Sequence, residues 1–123
     1  MNNKTLTVKE LIARKQQLAN KGAKKQTLYI KSLDANITIQ QQSREVYLDA
    51  MDMGAAGDSY VVYNAVIEPK LKDKELQEAY GCTEPMDIVF KIFEPGEIPQ
   101  IAMVCAELAG FGNSVKVVEE IKN

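Results

Sequence analysis

At 123 residues, 46% hydrophobic and 26% charged, the chain has the make-up of an ordinary globular protein, long enough to bury one core without disulfides or metal. It holds no histidine, which excludes Ser–His–Asp and Cys–His catalysis and His-ligated zinc. The net charge of −2 hides an asymmetry: residues 1–31 carry eight Lys/Arg against one acid, a balance of +7, while the remainder carries seven against sixteen, a balance of −9.

No apolar run approaches the roughly twenty residues that span a bilayer. The N-terminus lacks the apolar core of a signal peptide, so a cytosolic location is expected. Cys82 and Cys105 are too far apart for a CxxC motif and are expected as free, buried thiols.

Thr7-Val8-Lys9-Glu10 has the capping-box pattern, and Val8, Leu11, Ile12, Leu18 and Ala19 recur at helical spacing. These features predict a basic amphipathic helix over 7–21. Its basic face, prolonged into the following segment, comprises Lys9, Arg14, Lys15, Lys21, Lys24 and Lys25. Solvated helix positions and a lysine-guarded edge strand account for these charges most simply. Nucleic acid is disfavoured, because the basic residues have no aromatic interleaving beyond Tyr29 and no zinc-finger or RRM signature. Pairing between copies of the chain, or steering toward an acidic partner, stays open.

Thr27–Ile30 and Ile37–Ile39 are β-branched and aromatic runs around the turn formers Ser32–Asn36, predicting a β-hairpin over 26–40. Two strands alone are marginal in water, so the hairpin must pack on helices or borrow a strand. From Ser43 the helical signal dominates. Val46, Tyr47, Ala50 and Met51 form one face of a helix that Met53–Gly57 breaks, and Asp58 caps the next, over Ser59–Ile67. Pro69 stops it. Asp73 caps a short helix through Tyr80, and Pro85 opens another containing Met86, Ile88, Val89, Phe90, Ile92 and Phe93. After Glu94-Pro95-Gly96 a last helix runs from Glu97 to Ala109, ended by Gly110 and Gly112. The tail over 115–123 alternates apolar and acidic residues and fits a strand or a short helix.

The pattern predicts a single α+β, mainly α, domain over 1–123: the helix 7–21, the hairpin 26–40, a helical part 43–110 of four or five helices, and an acidic-apolar tail 115–123. No catalytic residue, metal ligand or cofactor site emerges. Asp49 with Asp52, and Glu75 with Glu78, share helix faces but lack a third ligand or a glycine-bearing metal loop. Gly54-Ala55-Ala56-Gly57-Asp58 lacks the Gly-Lys-Ser/Thr ending of a phosphate loop.

The apolar helical hairpin between Pro85 and Gly110 stands out instead. In its second helix Ile98, Ile101, Ala102, Cys105, Leu108 and Ala109 fill a core face, yet Met103 and Val104 sit beside the polar line of Gln100 and Glu107. An apolar pair on a solvent face suggests a cover. Ile92, Phe93, Met103 and Val104 are therefore expected to bind a partner.

Four stretches, LYIKSLDANITIQ (Leu28–Gln40), GDSYVVYNAVIEPKLKDKELQEAYGC (Gly57–Cys82), TEPMDIVFKIFEPGEIPQIAMVCAELAGFG (Thr83–Gly112) and VKVVEEIKN (Val115–Asn123), carry a resemblance over nearly the whole chain. The sequence resembles the XkdN-like tail assembly chaperones of siphophages, myophages and PBSX-type prophages. The most specific segments are Glu68–Asp73, Tyr80-Gly81-Cys82 and Phe93–Ile98, which are packing and punctuation rather than chemical motifs. The resemblance implies a non-catalytic factor of the host bacterial cytoplasm, absent from the mature virion. Such a factor binds the tape-measure protein and helps recruit tail-tube protein, the latter through a longer frameshifted form. A chain ending at Asn123 looks like the short form. A structural tail-completion or adaptor component is the rival expectation, followed by a nucleic-acid-binding regulator.

Overall fold

The computed structural model describes residues 4–119. The N-terminal segment forms two short helices, α1 (Val8–Ala13) and α2 (Lys15–Ala19), rather than one helix over 7–21. Thr7 caps α1 as its sequence suggests: its Oγ1 accepts the Glu10 amide at 3.2 Å. The break falls at Arg14, whose backbone (φ −89°, ψ 4°) leaves the helical region. Neither helix buries a residue, and a helix this short is marginal without a packed face to hold it straight.

Strands β1 (Lys25–Ile30) and β2 (Ala35–Gln40) form the expected antiparallel hairpin, with Thr27 opposite Thr38 and Leu28 opposite Ile37. Alternation turns Ile30, Ile37 and Ile39 into the core, each at most 5% exposed. At the turn Asp34 takes the left-handed conformation (φ 47°), and its carboxylate accepts the Tyr29 hydroxyl at 2.6 Å.

The borrowed strand is β3 (Val66–Glu68), which pairs antiparallel with β2 and leaves β1 as the other edge. The helix predicted to reach Ile67 therefore stops at Ala65. Val66 and Ile67 are β-branched and suit either state, and pairing with β2 decides for the strand.

The helices are α3 (Arg44–Asp52), α4 (Gly57–Ala65), α5 (Lys74–Ala79), α6 (Asp87–Ile92) and α7 (Glu97–Leu108), so the described residues carry five after the hairpin. Asp73 caps α5 as expected, its carboxylate accepting the Leu76 amide at 2.9 Å. Asp58 does not cap α4; it lies within the first turn, because the 3-10 turn Gly54–Ala56 runs straight into the helix. Gly110 (φ 95°) ends α7 in a conformation that L residues rarely adopt, and its amide closes on the Glu107 carbonyl at 2.9 Å.

Helix α4 is the hub. It packs on α3, α6 and α7 and contributes Val61, Val62 and Ala65 to the core. The predicted hairpin of α6 and α7 is thus two helices docked on a common third. The architecture is mainly helical with one small sheet.

Candidate protein-binding surface

Helix α7 carries Pro99 in its first turn, where an amide has no intrahelical acceptor to lose. Ile98, Ile101, Ala102 and Cys105 are buried against the hub, which rotates Gln100, Met103 and Glu107 to solvent. The N-terminus of α7 is fixed to the hairpin turn: Glu97 accepts the Ser32 hydroxyl at 2.9 Å and the Glu94 amide at 2.8 Å. The Glu94 amide, and to a lesser extent Ser32, hold the Glu97 carboxyl below its usual range.

This tether leaves a groove of about 520 Å³ between β1 and α7. Leu28, Ile30, Ile101 and Val104 give it an apolar lining, with Lys31, Glu94 and Glu97 as charged members. Met103, 64% exposed, stands on the solvent-facing crest of α7 and is not one of the residues that line the groove. Val104 is half-buried in the groove and packed on the core. The two remaining partner-binding candidates lie elsewhere. Ile92 is half-buried, and Phe93 is a core residue at 4% exposure, so its expected place on an open surface is corrected. Docking of α6 on α4 turns Phe93 inward and leaves Phe90, which the sequence did not single out, 56% exposed. A separate hollow of about 280 Å³ collects Phe90, Phe93, Pro95 and Pro99. The four residues therefore do not form one patch.

Nor do the basic residues share one helix face. Lys9 is in α1, Arg14 is at the break, Lys15 opens α2, Lys21 and Lys24 lie in the following connection, and Lys25 begins β1; all six are exposed.

A third concavity, about 430 Å³, lies where α3, α4 and α7 meet and has Tyr47, Ala50, Met51, Val61, Ala106 and Phe111 in its walls. Met51 and Phe111 are 75% and 51% exposed. The sequence placed Met51 on the face of Tyr47 and Ala50, but nothing local reveals that Phe111, beyond the end of α7, folds over Tyr47 with ring centroids 5.1 Å apart.

Among the described residues no cluster of His, Cys, Asp or Glu is placed to hold a metal ion, and no helix is long and apolar enough to cross a membrane. The surface carries apolar-lined concavities and exposed apolar side chains.

The sequence model of the family described as phage XkdN-like tail assembly chaperone protein matches residues 3–122. The chain belongs to that family. Its role is thus that of a phage tail assembly chaperone. No curated protein matches this tail assembly chaperone. The crystal structure of the protein YqbN is similar to it, with a TM-score of 0.58 and 16% identity over 76% of this chain and 90% of that one. At that identity the likeness shows a shared fold alone.

Both thiols are free. Burial pushes Cys105 up to about 12, and the residue is wholly enclosed, whereas Cys82 is half-buried. In the native chaperone Ellman's reagent is expected to label Cys82 and to reach Cys105 only on unfolding. A folded-state value raised above the ordinary 9.0 favours the native state fully below pH 9 and progressively less as pH climbs toward 12. The loss is about 1.4 kcal/mol per pH unit from this group. Urea midpoints at pH 8 and pH 10.5 should differ accordingly, with a smaller difference in Cys105→Ala.

Proposed function

We propose that this chaperone holds the tape-measure protein soluble in the host cytoplasm until tail-tube subunits polymerise around it, and is left out of the finished particle. A longer frameshifted form would carry the tube-recruiting part. The observation that carries the proposal is the apolar-lined groove between β1 and α7, with Met103 exposed on the solvent-facing crest of the same helix. A tape-measure protein is long and helical, and its apolar stripes need cover before the tube encloses them. A groove with an apolar lining, and an exposed methionine on the same helix, suit such a partner, because methionine adapts to varied apolar surfaces.

Binding of tape-measure fragments, measured by titration calorimetry, tests this. Met103→Asp places a charge on the crest without touching the core and is expected to weaken binding by about tenfold or more. Met103→Asp/Val104→Asp should abolish it. A folded double variant with wild-type affinity would refute the proposal. Detection of the chain in purified tails would instead favour a component retained in the particle.

A further inference from the structure

The arm formed by α1 and α2 is unlike the rest of the fold. Leu6, Val8, Leu11, Ile12 and Leu18 are each at least 45% exposed, and no residue of either helix is buried. Among the described residues none of its apolar side chains is packed into the core, while the apolar face of an amphipathic helix is stabilised by burial. The groove of Tyr47, Ala50, Met51, Val61, Ala106 and Phe111 is the converse, an apolar concavity in which none of the described helices is laid.

The charges match the two. Residues 4–25 hold seven Lys/Arg and one acid. Every lining residue of the groove comes from 47–61 or 102–111, and these segments contain no Lys or Arg. They contribute Asp49, Asp52, Asp58 and Glu107, and Asp58 itself stands in the groove wall. We propose that the basic helical arm of one copy docks in the Tyr47–Phe111 groove of a second copy, joining chaperones head to tail. The apolar residues of the arm enter the groove, and its lysines and Arg14 face the acidic surroundings. The contact is heterologous, so each chain keeps a free arm or a free groove and assembly continues beyond a dimer. The proposal is independent of tape-measure binding, and its test contains no tape-measure protein.

Sedimentation velocity of the full chain across a concentration series is expected to show oligomers growing with concentration. They should weaken as salt rises from about 0.05 to 0.5 M. Leu11→Asp/Ile12→Asp in the arm and Met51→Lys in the groove should each reduce association by about tenfold or more. Both sites are exposed, so circular dichroism should show an unchanged fold. Mixing the two variants pairs one intact arm with one intact groove, and heterodimers that grow no further are expected. A chain that stays monomeric at every concentration overturns the proposal, as do variants that associate like wild type or a mixture without heterodimers. A monomer whose arm binds anionic vesicles or nucleic acid overturns it equally and assigns the arm to that surface.

Discussion

Gly57→Ala is expected to destabilise the chaperone by about 2 kcal/mol, although alanine is the better helix former. Gly57 opens α4 with ordinary helical torsions (φ −60°, ψ −44°), so intrinsic propensity alone favours alanine there by about 1 kcal/mol. The added Cβ, however, would collide with the carbonyl oxygen of Ala50 and lie 3.2 Å from its carbon. Both are backbone atoms of α3, so no side chain can swing aside and the two helices must separate. Overpacking of this kind costs about 1–3 kcal/mol and more when backbone has to move, which outweighs the propensity gain. Gly57→Val should lose still more. Gly54→Ala is the informative control: its surroundings are open, its φ is +59°, and it should lose only about 1 kcal/mol through backbone strain. Urea unfolding of the three variants checks the order, and a more stable Gly57→Ala would show that α3 and α4 do not approach this closely.

That close approach illustrates what the sequence could and could not convey. The caps at Thr7 and Asp73 were legible because each concerns one side chain and an amide three residues on. The hairpin was legible because alternation over 26–40 sets both strand and face. Glycine at 57 was legible only as a helix breaker, since its partner at Ala50 is defined by the packing of α3 on α4. The end of α4 failed for the same reason: Val66 and Ile67 continue a helix or make a strand equally well, and only β2 chooses. In α6 and its C-cap Phe93 every residue but Asp87 and Lys91 is apolar, so periodicity could not say whether Phe90 or Phe93 faces in. The amphipathic pattern of the arm shows that a cover is wanted without saying which molecule supplies the other face. Met103 was correctly placed on the outside of α7 because Gln100 and Glu107 mark that side at helical spacing. The groove that Val104 lines was not foreseen, because β1, some seventy residues earlier in the chain, builds the opposite wall.

Tyr47→Ala should have the larger effect, about 3–5 kcal/mol, the range for removing a buried aromatic side chain. Tyr47 is 8% exposed, and its hydroxyl donates to the Cys105 carbonyl at 3.0 Å, so one side chain ties α3 to α7 while its ring packs on Phe111. Tyr47→Phe separates these contributions. It keeps the ring and removes only the hydroxyl. The Cys105 carbonyl also accepts the Ala109 amide at 3.2 Å and is therefore not orphaned, which limits the cost to about 1 kcal/mol. Phe111→Ala, at a half-exposed position, should lose about as much through the aromatic contact and its share of buried area. Thermal and urea unfolding should rank Tyr47→Ala well below Tyr47→Phe and Phe111→Ala. Tyr47→Phe leaves the groove wall intact and should keep head-to-tail association, whereas Phe111→Ala opens that wall and should weaken it. Equal stability losses for Tyr47→Phe and Tyr47→Ala would mean that the hydroxyl, not the ring, holds α3 to α7. The groove would then depend on a single hydrogen bond rather than on packing.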